Sequence, residues 1–430
     1  MMEELVLILI LFLAIAALIQ PLFGLYGFFI IAYIRPQDFY PFLARIEPAQ
    51  WILIITAVSF LFHKLIQKKD FVKAPQNIAI LGMLFVIFLS RIKAIDSQRW
   101  WQATEDFIRV TLVYFMLVNL LNTQKKLKSF YIFFILINLF VALRFYIAYR
   151  QGEAIYWGSK PGDLSYGFLA NADDLGIGMV VILPFVLIPV FYAERKFIKG
   201  LCGIFSLIFM LTALATHSRG AHLGVFSVFF ASILSQLRME KIRKEKYALG
   251  LIAVIALLAL FTYKYRYTLK DSYTSALNPH DSGRVGRLAT WQVAKEMIKR
   301  NPLLGVGRGN YVTYWMMHYP PGPAGYQVAH NIIYEVFAEI GLLGLIFFLY
   351  FSLSGVKESI FFFRHYKEIL KKNEFLEMML VIYLISCLGF FINGMFITVA
   401  FYWHIYVLVA FYVSSRVLIL KEAKVYVRKR

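Results

Sequence analysis

Histidine and arginine side chains stand at three points where long apolar runs are interrupted. His330 begins the run HNIIYEVFAEIGLLGLIFF, Arg219 lies in the short break THSRGAHLG, and Arg287 opens a stretch with helical periodicity. Histidine is well suited to proton transfer near neutral pH, and arginine presents a planar fork that matches phosphate oxygens. These residues predict proton transfer beside a phosphate-bearing ligand. The alternatives are a histidine that caps a helix and arginines that snorkel to a membrane interface.

The helix that follows His330 carries three polar residues at a spacing of four. Asn331, Glu335 and Glu339 fall on one helical face, which is expected to border a polar pocket. Negative charge is tolerated near a helix N-terminus. We predict that Asn331 binds substrate and that the glutamates support the packing or His330.

A glycine-rich turn, LLGVGRGNY, covers 303–311. Glycines at positions 305, 307 and 309 would let backbone N–H groups approach a ligand, and Arg308 is a further candidate for substrate binding. The turn does not follow a strand, which excludes a dinucleotide-binding fingerprint. The alternative is a turn with no ligand.

The composition defines the class of protein that must position these residues. Of the 430 residues, 60% are hydrophobic and 16% are charged, and runs of about 20 apolar residues, long enough to cross a bilayer, recur along the chain. We predict an all-α polytopic membrane protein with one integral domain over 1–430. The net charge of +20 lies mostly in short clusters between apolar runs, which favours cytoplasmic loops over a nucleic-acid surface.

Those clusters are separated by pairs of apolar runs, so the positive-inside bias predicts about twelve transmembrane helices. The N-terminal run 4–34 is interrupted by Gln20-Pro21 and is interpreted as one bent crossing; a hairpin that gives thirteen spans is the alternative. The other predicted spans are 50–66, 76–93, 106–121, 127–148, 174–192, 199–217, 220–236, 247–263, 328–352, 376–396 and 399–418.

One long polar segment, 264–327, is placed outside by this topology. It is rich in Lys and Arg, against the orientation bias, so an anionic ligand is a natural explanation. The alternative is that a loop of this length is translocated whatever its charge. Within the loop, 286–302 is predicted to form an amphipathic helix that ends at Asn301-Pro302.

Three blocks in this order resemble the O-antigen ligase family of membrane glycosyltransferases: SRGAHLG at 218–224, GRLATWQVAKEMIKRNPLLGVGRGNY at 286–311, and HNIIYEVFAEIGLLGLIFF at 330–348. The resemblance extends to a long loop between the ninth and tenth spans, and GFLANADDLGIGMVVILP at 167–184 is a weaker match. The segment 33–51 resembles a subgroup encoded with exosortase-type sorting systems, so the acceptor stays open.

The resemblance implies transfer of a glycan from undecaprenyl pyrophosphate to an acceptor hydroxyl, on a lipid A core sugar or another acceptor. The site would face the periplasm, with the protein in the bacterial inner membrane among its lipids. His330 would be the base and Arg219 and Arg287 would bind the pyrophosphate. No DxD or HExxH motif occurs on the outer side, so neither a metal nor a cofactor is expected. The alternatives are a polymerase of the same class and a transporter of lipid-linked sugars.

Overall fold

The computed structural model describes residues 2–151, 156–157, 160–161, 169, 171–237, 282–322 and 325–428, and these form an almost entirely helical bundle. The first seven helices are α1 (Met2–Ile19), α2 (Pro21–Ile34), α3 (Phe42–Ile46), α4 (Pro48–Ile66), α5 (Pro75–Leu89), α6 (Ser97–Leu120) and α7 (Gln124–Gln151). Short 3₁₀ turns occupy Pro36–Asp38 and Ser90–Lys93, and strands β1 (Tyr156–Trp157) and β2 (Lys160–Pro161) pair antiparallel.

The remaining helices carry the predicted motifs. They are α8 (Ala172–Leu187), α9 (Pro189–Tyr192), α10 (Lys196–Ala215), α11 (Arg219–Leu237), α12 (Ser282–Arg300), α13 (Tyr311–His318), α14 (Ile332–His365), α15 (Lys367–Lys372), α16 (Glu374–Gly394) and α17 (Trp403–Arg428). The predicted amphipathic helix at 286–302 is thus confirmed as α12, which ends one residue before Asn301-Pro302.

Eight helical segments of the described chain are long and apolar enough to cross a membrane, and each overlaps a predicted span. They are Phe42–Ile66, Pro75–Lys93, Gln124–Ala148, Ala172–Tyr192, Lys196–Ala215, Ile332–His365, Glu374–Gly394 and Trp403–Val425. The predicted span 106–121 falls inside the more polar α6, and 220–236 coincides with a shorter apolar helix, Arg219–Ser235. The span 247–263 lies outside the described residues, so the total number of spans stays a prediction.

The N-terminal run forms a hairpin, so the interpretation of 4–34 as one bent crossing is wrong. The chain breaks at Gln20, as the Gln20-Pro21 pair predicted. A Cβ at Gly27 would lie only 3.3 Å from the Leu13 Cβ, whereas fourteen residues of continuous helix would span about 21 Å. Proline interrupts a helix without setting the angle between its halves, and here α2 folds back because both helices pack against α4.

Candidate functional site

Pro302 and the first part of the glycine-rich turn, up to residue 309, pack into a break in α14. At Gly341 the backbone leaves helical geometry, with φ 71° and ψ −172°. The carbonyls of Ala338 and Glu339, before the break, accept hydrogen bonds from the N–H groups of Val306 and Gly307 at 2.8 and 3.0 Å. After the break, the Leu342 N–H donates to the Pro302 carbonyl at 2.8 Å. The turn therefore satisfies backbone groups that a broken helix would leave unpaired.

The glycines of this turn serve close backbone packing. Gly305 has φ 67°, and a Cβ there would lie 2.5 Å from the Ala338 carbonyl oxygen. At Gly341 a Cβ would overlap the Leu303 carbonyl group. The expectation that the N–H groups of this turn approach a ligand is wrong for Val306, Gly307 and Arg308, because all three donate within the protein.

The side chain of Arg308 points from this turn into a cavity and forms an ion pair with Glu339. Both side chains are largely buried, at 14% and 7% exposure. The guanidinium carbon also lies 3.7 Å from the ring centre of Phe401, a cation–π distance. Glu339 and Phe401 together hold Arg308 in one orientation at the cavity wall.

His330 lies at the same cavity, immediately before the N-cap of α14. Its φ of 46° is in the left-handed region, which costs a non-glycine residue roughly 1–2 kcal/mol. Two contacts hold this conformation: the His330 N–H donates to the Thr398 hydroxyl at 2.8 Å, and the Ala329 carbonyl accepts from the Thr290 hydroxyl at 3.2 Å. The backbone thus fixes the point from which the imidazole enters the cavity.

Asn331 is the N-cap of α14 and is buried. Its side-chain oxygen accepts from the N–H groups of Ile333 and Tyr334 at 2.9 and 3.1 Å, and its amide nitrogen donates to the Met395 carbonyl at 3.1 Å. The side chain is not among those that line the cavity. The structure therefore gives Asn331 a capping position next to His330, where the sequence suggested substrate contact.

Glu335 and Glu339 both reach the cavity, and both are buried. Glu335 accepts a hydrogen bond from the Ala400 N–H at 3.0 Å. The segment 395–400, which connects α16 to α17, is thus held by hydrogen bonds to Asn331, Glu335 and the N–H of His330.

The cavity has a volume of about 990 Å³ and is lined from both the N-terminal and C-terminal parts of the chain. His330, Arg308, Glu335 and Glu339, all named from the sequence, meet there. Sequence reasoning missed the other charged or phenolic side chains at the cavity, which include Arg35, Arg99, Arg109, Glu47, Asp106 and Tyr402.

Arg109 is a cavity residue that the sequence pattern could have revealed. It lies inside the mostly apolar run 106–121, and such a charge is usually paired or faces a polar space. Its guanidinium contacts Glu105 at 2.6 Å, Asp106 at 3.0 Å and the Gln50 side chain at 2.8 Å.

Two tyrosines beside the cavity are held as hydrogen-bond donors. The Tyr402 hydroxyl donates to Asp174 at 2.6 Å, and the Tyr311 hydroxyl donates to the Thr290 carbonyl at 2.6 Å. Burial raises the pKa of both hydroxyls above the ordinary value, so both stay protonated at neutral pH.

Arg219 and Arg287 do not line this cavity, although both lie next to elements that hold His330. A Cβ at Gly220, the residue after Arg219, would lie 3.3 Å from the Phe396 Cβ, so the SRG turn packs on the same connecting segment that binds His330. One turn after Arg287, Thr290 bonds to the Ala329 carbonyl.

No group of three or more His, Cys, Asp or Glu that could hold a metal ion occurs among the described residues. Asp173 and Asp174, two adjacent carboxylates, lie in the first turn of α8, where Asn171 caps the helix by accepting from the Asp173 N–H at 2.8 Å. The absence of a metal requirement stays a prediction.

A bundle of apolar helices with a histidine, arginines and carboxylates gathered at one cavity defines a multi-pass membrane protein with a polar site. Residues 204–349, from α10 to α14, match the family model described as O-antigen ligase. This match confirms the resemblance found in the three sequence blocks, all of which lie within residues 204–349. No curated protein sequence matches the chain. The match supports an O-antigen ligase-like or polymerase-like enzyme of the glycosyltransferase type, which acts on lipid-linked glycans.

Proposed function

We propose that this protein transfers a glycan from undecaprenyl pyrophosphate to an acceptor hydroxyl at the periplasmic face of the bacterial inner membrane. The observation that carries the proposal is His330, held in a left-handed conformation at the wall of a cavity that is also lined by Arg308. The position lies within the region that matches the family model.

The chemistry assigned to His330 is removal of the proton from the acceptor hydroxyl. The freed oxygen forms a bond to the anomeric carbon of the donor sugar while the bond from that carbon to the phosphate oxygen breaks. The electron pair leaves with undecaprenyl pyrophosphate, and the proton stays on the imidazole until it is released. Histidine suits this task because its ordinary pKa is near neutrality.

The charges at the cavity suggest where each part of the donor lies. The described lining holds four arginines (Arg35, Arg99, Arg109, Arg308) and six carboxylates (Glu47, Asp106, Asp173, Asp174, Glu335, Glu339). This excess of acid favours sugar hydroxyls over phosphate inside the cavity. We therefore assign the pyrophosphate to Arg219 and Arg287 beside it, where paired arginines would stabilise charge on the leaving group. Arg308, neutralised by Glu339, is assigned to the sugar.

Asn331 is assigned to positioning rather than to substrate binding. Its amide is occupied by the cap of α14 and by Met395. By fixing the start of α14, it would hold the adjacent His330 in place.

A polymerase that joins repeat units on lipid needs the same donor site, so it is the second candidate within the class. The transporter alternative is less well supported. Broken membrane helices in transporters commonly expose backbone groups to the cargo, whereas the break at Gly341 is filled by hydrogen bonds from the glycine turn.

Surface glycans of cells with and without the gene test the proposal. A ligase predicts that long chains vanish from the acceptor while lipid-linked polymer accumulates, and a polymerase predicts single lipid-linked units. Purified protein should transfer glycan from lipid-linked donor in excess EDTA. Donor that accumulates only on the cytoplasmic side would instead indicate a transporter.

The orientation is tested by labelling single cysteines in intact spheroplasts with a membrane-impermeant thiol reagent. In a background with Cys202→Ser and Cys387→Ser, Met317→Cys should react and Lys367→Cys should react only after permeabilisation. Both positions are exposed. The reverse pattern would place the site on the cytoplasmic side and contradict the proposal.

A further inference from the structure

A second cavity, of about 600 Å³, opens between the ends of α4, α6 and α17. Those three helices also line the first cavity, through Gln50, Arg109 and Trp403. On α4, Gln50 and Lys64 are fourteen residues apart, or about 21 Å along the helix. The two cavities therefore lie at opposite ends of the bundle, and the positive-inside bias predicts that this second one faces the cytoplasm.

The charge of the second cavity is strongly one-sided. Its described lining holds one carboxylate, Asp70, and the six cations Lys64, Lys69, Lys73, Arg416, Lys421 and Lys424. The Arg416 charge is offset by Glu358, at 2.6 Å, but five lysines remain. The lysines come from two distant parts of the chain, 64–73 and 421–424, and lie together only in the folded protein.

The cavity has fixed walls. Lys64 donates to the Asp70 carbonyl at 2.6 Å and lies 4.9 Å from the ring centre of Phe71. The Val72 N–H donates to the Asn119 side chain at 3.0 Å, which ties the loop after α4 to α6. Arg416 is held in place by its contact with Glu358. A polar space lined by oriented cations is suited to a phosphate group.

The surroundings indicate that this phosphate belongs to a lipid. Phe62, Leu65 and Ile66 flank Lys64 on α4 and are 60–76% exposed, as expected for a surface that faces acyl chains. We propose that this cavity binds the phosphate-bearing headgroup of an anionic phospholipid in the cytoplasmic leaflet, with the acyl chains along α4. This site is separate from the one assigned to glycan transfer.

The test measures the thermal unfolding midpoint of the full-length protein in detergent against three probes: dioctanoyl phosphatidylglycerol, dioctanoyl phosphatidylcholine and glycerol phosphate. Phosphatidylglycerol alone should raise the midpoint in a saturable manner. The variant Lys69→Gln/Lys73→Gln/Lys424→Gln should lose affinity on the order of 100-fold, since each basic group near an anionic lipid contributes about fivefold.

The matched control is Lys196→Gln/Lys199→Gln/Lys367→Gln, which removes three exposed lysines from other basic segments outside the cavity. It should keep the wild-type affinity. Equal loss in both variants would reduce the effect to general charge attraction and overturn the site. An equal shift with glycerol phosphate would overturn the lipid assignment, and no shift with phosphatidylglycerol would overturn both.

Discussion

The backbone N–H of His330 donates a hydrogen bond to the side-chain hydroxyl of Thr398, 2.8 Å away, although 68 positions separate the two residues. The contact ties the start of α14 to the segment between α16 and α17. That segment also bonds to Asn331 and Glu335, through Met395 and Ala400. The position of the proposed base therefore depends on a part of the chain far from it in sequence.

His330→Gln should retain the fold and donor binding but lose transfer, because glutamine supplies no base at neutral pH. The expected loss of kcat is on the order of 10²–10⁴-fold. The assay is transfer by purified protein from lipid-linked donor. His318→Gln is the matched control, since His318 lies on α13 outside the cavity and stacks on Tyr314. Near-normal turnover of His330→Gln would assign the imidazole to structure, and Glu335 would be the next candidate for the base.

Arg219→Lys and Arg287→Lys should each raise the KM for donor while transfer persists, since lysine keeps the charge without the bidentate fork. Loss of one hydrogen bond to a charged group, about 1.5 kcal/mol, corresponds to roughly tenfold. Arg300→Lys, an exposed position on the same helix as Arg287, should leave KM unchanged. Unaltered KM in both arginine variants would remove them from the pyrophosphate site.

Glu339→Gln should destabilise the protein, because it leaves the buried charge of Arg308 without its partner. Removal of one member of a buried ion pair costs roughly 3–5 kcal/mol. Thermal unfolding in detergent provides the measurement. The double variant Arg308→Met/Glu339→Gln should recover much of the stability while transfer stays impaired. Full activity in the double variant would mean that the pair is structural and that neither residue contacts substrate.

Gly341→Ala should prevent the glycine-rich turn from packing into the break in α14. The positive φ alone costs roughly 1–3 kcal/mol, and the added methyl group overlaps the Leu303 carbonyl. The expected result is a lower unfolding midpoint together with lost transfer. Gly200→Ala, on α10 with no atom within 4 Å of an added Cβ, is the control and should be tolerated. Wild-type stability of Gly341→Ala would contradict the assigned packing.

Local patterns in the sequence, such as helical periodicity and residue spacing, predicted many of the helices. Helical periodicity and Asn301-Pro302 gave α12 and its end, and the i, i+4 spacing after His330 gave the polar face of α14. The capping position of Asn331 was also accessible, because asparagine favours the N-cap.

The features that the sequence did not predict depend on contacts between segments that are far apart in the chain. The glycine turn could be recognised as a turn, but nothing local indicated that its N–H groups would bind α14 instead of a ligand. Arg35 and Arg109 also contribute to the cavity wall, and both come from segments remote in sequence and outside the matched family region. Likewise, the proline at position 21 predicted a break, and only packing against α4 decided that the two halves fold back.

The break at Gly341 also constrains how the chain assembles. It lies nine residues after the first residue of α14, or about 13 Å along the helix. Carbonyls left unpaired in this buried position would cost several kcal/mol each. The groups that satisfy them come from the loop that precedes the helix in the chain. In the proposed topology this loop has to cross the membrane and fold back before α14 is stably inserted, so the site forms late in biogenesis.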